Sequence, residues 1–263
     1  GNVLGKTVVI TSGKGGVGKT TVAANVGTAL SMIGKRVLLI DTDTGLRNLD
    51  MIMGIEDKAL YNVIDVTEKT CNLDGAAVQS ARFPNLYILP ASQTRDKEEL
   101  DEEKFKELCD EAKKRFDYVL IDCPAGIEYG FHCALYPADE AVIVTVPDKA
   151  AMRDADRVAG IIETQFKNVK EIRLCINRLI PELSDSGLTA GSAEALFTVA
   201  VKLIGIVPED PNILIDAYNS ELSVNNRRSL AGRAFKNIAC RLDGIDIKLL
   251  KLNKRRLFKK RYR

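Results

Sequence analysis

Short apolar runs alternate with amphipathic stretches along most of this chain. The runs are four to six residues long and rich in valine, isoleucine and leucine, a pattern typical of buried β-strands. We predict strands at residues 6–11, 37–40, 85–89, 118–121, 141–146, 172–176 and 204–207. Apolar positions recur at helical spacing between them, for example at Phe105, Leu108, Ala112 and Phe116. We predict helices at residues 20–33, 102–116, 153–166 and 228–242, and no definite element at 57–82 or 183–191.

This alternation predicts an α/β fold with a mostly parallel sheet and helices on both of its faces. We expect one folded body over residues 1–247 and a separate C-terminal segment over residues 248–263. Ligands of such sheets collect at the carboxyl ends of the strands, so polar residues at those ends carry the functional information.

The segment GKGGVGKTT at residues 13–21 fits the phosphate-binding pattern G-x-x-x-x-G-K-[ST] between a strand and a helix. Its backbone amides and the start of the helix can surround an anion. We expect Lys19 to contact the terminal phosphates of a nucleotide and the Thr20 hydroxyl to ligate Mg²⁺. The whole loop is predicted to bind the nucleotide through Gly13, Gly15, Gly16, Val17, Gly18, Lys19, Thr20 and Thr21.

Three aspartates lie at predicted strand ends beside this loop. Asp41 and Asp43 follow the second strand, and Asp122 follows a later one. Carboxylates at these positions can hold Mg²⁺ or orient an attacking water. Gly126, in the segment DCPAG, can change its backbone angles when a γ-phosphate is gained or lost.

Two further loops are candidates for holding the nucleotide base. Asn177 and Arg178 follow the strand predicted at 172–176, and Pro208 and Asp210 follow the last strand. An amide at Asn177 can recognise adenine, although asparagine and proline after strands also serve as caps and turns.

Composition narrows the class of protein. Apolar residues make up 46% of the 263 residues and charged residues 28%, as in ordinary soluble domains. We find no apolar run of 18 residues, and the first strand begins too early to leave room for a signal peptide. The six cysteines form no CxxC pair, so we expect reduced, mostly buried thiols. His132 is the only histidine, which argues against histidine-based metal sites and triads.

The C-terminal segment differs from the rest of the chain in charge. Residues 248–263 contain nine Lys and Arg and no acidic residue; the remaining chain has 29 basic against 36 acidic residues, a formal charge of −7. Leu249, Leu250, Leu252, Leu257 and Phe258 are interleaved with the cations. This pattern favours an anionic membrane surface as partner, with a solubilising tail or a nucleic-acid contact as alternatives.

Several motifs resemble the ParA/MinD family of deviant Walker A P-loop ATPases, in particular its septum-site-determining members, over about residues 5–245. The loop carries the additional lysine of that family, Lys14. The narrower similarities are DTDTGLRNLD at 41–50, QTRD at 93–96, LIDCPAGIE at 120–128, MRDADR at 152–157 and IVPED at 206–210. The sequence departs from the family at 131–137 and matches it loosely at 183–203.

The resemblance implies an Mg²⁺-dependent ATPase that binds ATP and ADP and forms an ATP-dependent homodimer. It implies that Lys14 acts in trans on the partner's nucleotide and that Asp43 positions the attacking water. It also implies that Thr20 ligates the magnesium ion and that Asp41 and Asp122 belong to the metal shell. It places Asn48 in the nucleotide-sensing switch. It also implies a cytoplasmic protein that attaches to the inner membrane through residues 248–263, recruits a MinC-like division inhibitor and is discharged by a MinE-like activator.

Two alternatives stay open from the sequence. A ParA-type partitioning ATPase would bind DNA, but it needs a basic folded body, whereas the basic excess here lies in the C-terminal segment, so DNA is the less favoured partner. A P-loop metabolic ligase would need a substrate pocket and would give the segment no role.

Overall fold

The computed structural model describes residues 3–44, 48–93, 100–185 and 188–250, without the side chains of residues 184 and 185. Three predicted features therefore lie outside the described residues. They are residues 45–47 of the first switch, most of the QTRD motif, and residues 251–263 of the C-terminal segment.

One sheet forms the centre of the described chain. Its strands are β1 (Lys6–Thr11), β2 (Val37–Asp41), β3 (Val78–Gln79), β4 (Leu86–Leu89), β5 (Tyr118–Asp122), β6 (Glu140–Thr145), β7 (Glu171–Leu179) and β8 (Lys202–Pro208). They lie in the order β3-β4-β2-β5-β1-β6-β7-β8, and every neighbouring pair is parallel except β3 with β4. The central strands β1, β2 and β5 consequently end side by side, with Asp41 beside Asp122.

Helices cover both faces of this sheet. They are α1 (Lys19–Met32), α2 (Asn48–Met53), α3 (Val63–Thr67), α4 (Leu73–Ala76), α5 (Glu102–Ala112), α6 (Tyr129–Leu135), α7 (Lys149–Gln165), α8 (Pro181–Asp185), α9 (Ala190–Glu194), α10 (Asn212–Tyr218) and α11 (Leu230–Leu242). A short 3₁₀ turn, Ser223–Asn225, lies between α10 and α11. The predicted α/β class, with helices on both sides of a mostly parallel sheet, is confirmed.

Alternate residues of each central strand enter different core layers. In β1, Val8 and Ile10 join the layer that contains α1 and α11, whereas Val9 joins the layer that contains α5, α6 and α7. Because both layers are apolar, the strands are apolar on both faces, which is why they read as continuous hydrophobic runs in the sequence. Phe235 of α11 and Phe105 of α5 are fully buried in the two layers.

Some predicted boundaries were wrong. Helix α7 begins at Lys149, not at residue 153, because the Asp148 carboxylate accepts a hydrogen bond from the Ala151 amide at 2.8 Å and caps the helix. Helix α5 ends at Ala112 and not at residue 116 as predicted. Phe116 is still buried, but it lies after the end of the helix. Ser229 caps α11, which starts at Leu230 rather than at 228.

The late strand β7 is longer than predicted, which changes the position of two candidate residues. Asn177 and Arg178 lie within it instead of after it. The pairing of β7 with β8 is irregular between Ile176 and Leu179, and Arg178 has a φ of 55° in the left-handed region. This irregularity turns the end of the strand toward the loop before α1.

The prediction that most cysteines are buried is confirmed. All six are free, and four of them are buried: Cys109, Cys123, Cys133 and Cys175. Within the described ranges, we find no helix long and apolar enough to cross a membrane. The first residues of the C-terminal segment contact the body, since Leu250 packs against the core layer of α1 and α11.

Candidate functional site

The glycine-rich loop lies between β1 and α1, at the carboxyl edge of the sheet. Gly16 and Gly18 have φ values of 81° and 85°, which favour glycine, and Gly18 directly precedes the first residue of α1. A Cβ atom on Gly18 would collide with the Asn177 amide, and one on Gly13 would lie 2.7 Å from the Cβ of Asp154 on α7. The loop therefore needs glycine for its conformation and for its close contacts.

The start of α1 is arranged to meet an anion. Its 14 residues include no acidic residue in the first turn, and within the described chain no side chain caps its first amides. The first N–H groups of the helix and the helix dipole therefore give this end of α1 a partial positive charge, which attracts an anion. Thr21 lies half-buried in this first turn, and Gly15 and Gly16 are exposed with open space around them.

Lys19, Thr20 and Asp122 meet directly at this edge. The Lys19 ammonium forms a buried ion pair with Asp122, and the Thr20 hydroxyl donates a hydrogen bond to the other Asp122 oxygen at 2.9 Å. Burial alone would lower the pKa of Lys19, but the charge of Asp122 and its hydrogen bond outweigh burial and raise that pKa. Lys19 is consequently a fixed cation in the centre of the site.

The carboxyl group of Asp41 is buried at the end of β2. It is 1% exposed, and one of its oxygens accepts a hydrogen bond from the Asp43 amide at 2.9 Å. Its Oδ2 atom is buried without a hydrogen-bond partner among the described residues. Burial, and then the charge of Asp122, raise its pKa to about 8. A cation that attracts this oxygen would relieve both effects.

The donor set fits a magnesium ion. Asp41, Asp122 and Thr20 offer hard oxygen atoms at one place, and the Oδ2 atom of Asp41 has no protein partner in the described chain. Mg²⁺ prefers oxygen ligands, keeps several waters and commonly binds through one or two carboxylates together with phosphates. In the described ranges, no cluster of three or more His, Cys, Asp or Glu side chains forms a closed metal cage.

Asn177 and Arg178 contact the loop itself. The buried Asn177 amide donates to the Val17 carbonyl at 2.9 Å, and the Arg178 guanidinium donates to the Gly16 carbonyl at 2.6 Å. The sequence suggested contacts with the base, whereas these contacts hold the phosphate loop. The Asn177 Oδ1 atom is the part of the side chain that remains for a base. No local signal pointed to these bonds, because the partners lie 160 residues or more apart in sequence.

The loop after β8 is held by Asp210. One oxygen of Asp210 accepts from the Ser229 hydroxyl at 2.7 Å and the Ala231 amide at 3.1 Å, and the other accepts from the Asn212 amide at 2.9 Å. The side chain thus fixes the starts of α10 and α11 relative to β8. Pro208 is buried at the end of β8. The predicted contribution of this loop to base binding stays a prediction.

Four other predicted residues lie in the loop itself or in the segments that follow β2 and β5. Lys14 is exposed, and its carbonyl accepts a hydrogen bond from the Ser12 hydroxyl at 2.9 Å. Asn48 is exposed at the first position of α2. Asp43 is half-buried beyond the end of β2. Gly126 follows β5 with a φ of 95°, and its amide donates to the Ser12 carbonyl at 3.1 Å, so it links the loop region to the segment after β5.

Comparisons with known proteins agree with this geometry. The family model described as "AAA domain" matches residues 5–176. The septum site-determining protein MinD of Synechocystis is 47% identical over 94% of this chain and 92% of its own length.

Two solved structures are similar over nearly the whole chain. In the MinC:MinD cell division protein complex of Aquifex aeolicus, the matched chain is 40% identical with a TM-score of 0.85, over 94% of this chain and 100% of that one. MinD from Pyrococcus horikoshii, solved in complex with Mg-ADP, is 30% identical with a TM-score of 0.79, over 91% and 96%.

Proposed function

We propose that this chain, which belongs to the MinD family of septum site-determining proteins, is an ATP-hydrolysing switch whose nucleotide state controls dimerisation and membrane attachment. The observation that carries the proposal is the joining of Lys19, Thr20 and Asp122 beside Asp41, at the open end of a phosphate loop. The related MinD of Pyrococcus horikoshii was solved with Mg-ADP, which supports the same ligands for this site.

Each residue of the site has a separate task in this proposal. The loop amides and Lys19 bind the phosphates of ATP, and Thr20, Asp41 and Asp122 hold the magnesium ion. When bound, Mg²⁺ would supply positive charge to the phosphates as charge develops on them. Asp43 orients the attacking water, since it lies two residues beyond Asp41 at the rim of the site. Asn177 and Arg178 keep the loop in its anion-binding conformation.

Dimerisation would complete the site. Lys14 is exposed on the loop and duplicates no task of the buried Lys19, so its charge is available to the nucleotide of a second copy. Asn48, at the start of α2, would report the nucleotide state through the switch segment that precedes it. Gly126, with its positive φ, would let the segment after β5 change conformation with the γ-phosphate.

Membrane attachment is assigned to residues 248–263, with residues 1–247 as the ATPase body. Each cation near an anionic leaflet contributes about 1 kcal/mol, and ordering of the segment offsets much of that gain. One segment should therefore bind weakly, whereas two segments on one dimer gain ~10²-fold or more from effective concentration. The protein would then act in the cytoplasm and at the inner face of the membrane.

The partners proposed for this switch are a division inhibitor and an activator. The matched Aquifex chain was solved with MinC, which supports recruitment of a MinC-like inhibitor by this chain as well. A MinE-like activator would stimulate hydrolysis and release the dimer. Because the chain belongs to the MinD family, we prefer the division-site switch to the two alternatives, a ParA-type partitioning ATPase and a P-loop ligase.

Phosphate release and light scattering test the enzymatic part of the proposal. We expect Mg²⁺-dependent hydrolysis of ATP, a dimer with Mg²⁺ and a non-hydrolysable ATP analogue, and a monomer with ADP. A protein that binds ATP yet has the same mass with both nucleotides would contradict the switch. Lack of ATP binding would remove the whole proposal.

A further inference from the structure

Arg241 joins the edge of the sheet to the start of the C-terminal segment. It lies in the last turn of α11, and its Nη1 atom donates a hydrogen bond to the Ile204 carbonyl of β8 at 2.8 Å. Its Nε and Nη2 atoms donate to the carbonyls of Ile247 at 2.8 Å and Lys248 at 3.0 Å. Lys248 is the first residue of the C-terminal segment. One side chain therefore holds that residue against the body.

The guanidinium of Arg241 bonds to backbone carbonyls rather than to a carboxylate. The side chain is half-buried, and it forms no ion pair within the part of the chain that the structure describes. Burial lowers the pKa of Arg241, because a cation loses free energy of hydration when it leaves water. Three carbonyl acceptors around one planar donor group offset this loss. A lysine has one ammonium group and cannot reproduce this fork.

The chain turns back toward Arg241 directly after α11. Gly244 has a φ of 80°, which favours glycine, and its amide donates to the Arg241 carbonyl at 3.1 Å. The Ile245 amide donates to the Cys240 carbonyl at 2.9 Å. The Tyr118 hydroxyl donates to the carboxylate of Asp243 at 2.5 Å and ties the turn to β5. The turn is thus fixed, and it brings residues 247 and 248 within reach of Arg241.

Two further contacts surround this connection. A Cβ atom on Gly205 of β8 would lie 2.3 Å from the Cγ1 atom of Ile238 and 3.4 Å from the Nη1 atom of Arg241, so β8 needs glycine where α11 packs on it. Leu250 packs against the core layer of α1 and α11. We name the three bonds of Arg241 and the contact of Leu250 the segment anchor. It holds the chain on both sides of residue 249.

From these contacts we propose that Arg241 is a positioning residue, which fixes the start of the C-terminal segment to the folded body so that the free, lipid-binding part begins only after residue 250. The proposal rests on the proposed membrane attachment and explains how the ATPase body is connected to it. Without the segment anchor, residues 244–250 would form a flexible linker with a root-mean-square length of about 15 Å. Such a linker lowers the effective concentration of the second segment of a dimer at the membrane. Arg241 would therefore set how strongly dimerisation increases membrane affinity.

The affinity of full-length variants for vesicles tests this role. With vesicles of phosphatidylglycerol and phosphatidylcholine, we expect Arg241→Gln to lower affinity about fivefold in Mg²⁺ and ATP analogue, and to change it much less in Mg²⁺ and ADP. The ratio of the two affinities is the readout, because a single segment gains nothing from a second one.

Two matched variants separate bonding from charge. Arg233 is exposed on the same helix, so Arg233→Gln makes the same change in charge and should keep the wild-type ratio. Arg241→Lys keeps the charge but cannot bond to all three carbonyls, so its ratio should fall as in Arg241→Gln. ATP hydrolysis without vesicles and the melting temperature serve as folding controls for all variants.

A tryptophan reporter measures the segment anchor without vesicles. The chain contains no tryptophan, so Leu249→Trp adds a single emitter between the bonds of Arg241 and the contact of Leu250. We expect its fluorescence anisotropy to be that of a residue fixed to the body, and to fall when Arg241→Gln is added. Adding Arg233→Gln should leave the anisotropy unchanged. A role of Arg241 in stability alone would lower the melting temperature and would change neither the anisotropy nor the ratio of affinities.

The outcomes separate this proposal from the proposed function. If the wild type binds vesicles more tightly with ATP analogue than with ADP, and Arg241→Gln keeps both the ratio and the anisotropy, the positioning role is wrong and the membrane switch stands. A wild-type ratio in Arg241→Lys would assign the effect to charge and overturn the role of the bonds. Tighter binding of Arg241→Gln in ADP would show that the contact restrains the segment instead, which also overturns the proposal. If the wild type binds no vesicles, the proposed function and the membrane role of Arg241 are both wrong.

Discussion

The bond between Asn177 and the phosphate loop provides the sharpest test of how the site is held. Asn177→Ala removes the donor to the Val17 carbonyl, which is buried with Asn177 and accepts this bond at 2.9 Å. A buried acceptor left without its partner costs about 1–3 kcal/mol. If the substitution destabilises the anion-binding conformation of the loop by a central value of ~2 kcal/mol, nucleotide affinity falls about 30-fold.

The choice of ligand separates two roles for Asn177. If its side chain holds the loop, ADP and tripolyphosphate should lose affinity by the same factor, because both bind through phosphates. If it acts only on the base, the affinity for ADP should fall and that for tripolyphosphate should not. Calorimetric titration of wild type and Asn177→Ala in Mg²⁺ gives both affinities. Asn177→Asp should weaken both ligands further, since a carboxylate cannot donate to a carbonyl.

Asn168 provides a matched control. Its amide donates to the carbonyls of Leu135, Tyr136 and Ala138 at 2.8–3.2 Å, beyond the C-terminal end of α7 and outside the site. Asn168→Ala should lower the melting temperature and leave both ligand affinities unchanged. If Asn177→Ala binds both ligands as the wild type does, the loop does not depend on this bond and the positioning role is refuted.

Three further substitutions test single assignments. Asp43→Ala should bind ATP and dimerise yet hydrolyse ATP very slowly, and unchanged phosphate release would remove Asp43 from the mechanism. Lys14→Ala should retain nucleotide binding but elute as a monomer with the ATP analogue, and a normal dimer peak would exclude action in trans. Asp41→Asn should raise the melting temperature in EDTA near pH 7.5. The folded-state pKa of about 8 exceeds the ordinary 3.8, so the wild type binds its proton more tightly when folded and loses stability as the pH rises through this range. The increase in melting temperature should become smaller toward pH 5. An increase that does not depend on pH would contradict the raised pKa of Asp41 as its cause.

The phosphate loop and the strand-end aspartates could be predicted from the sequence because their signals are local. The pattern around Lys19 specifies backbone shape and chemistry within nine residues, and Asp41 and Asp122 end apolar strands that are buried on both faces. The carboxyl ends of neighbouring parallel strands lie at the same side of the sheet, so the fold class alone predicted that Asp41 and Asp122 would be close together. The structure places Asp41 beside Asp122, as this reasoning requires.

Other features could not be predicted because their causes are short or non-local. Helices α2, α6 and α10 have seven residues or fewer, too few for a helical period to emerge from the sequence. Strand β3 has two residues and exists only through its antiparallel pairing with β4. The roles of Asn177 and Asp210 depend on partners that only the folded chain brings within reach.

Nucleotide-dependent membrane attachment is the central claim, and co-sedimentation of the full chain with anionic vesicles measures it most directly. With Mg²⁺ and ATP analogue we expect most of the protein to pellet, and with Mg²⁺ and ADP most of it to stay in solution, because only the dimer presents two C-terminal segments. A chain truncated after residue 247 should stay in solution with either nucleotide while keeping its ATPase activity. Equal pelleting of the full chain with ATP analogue and ADP, or pelleting of the truncated chain to the same extent, would contradict the account.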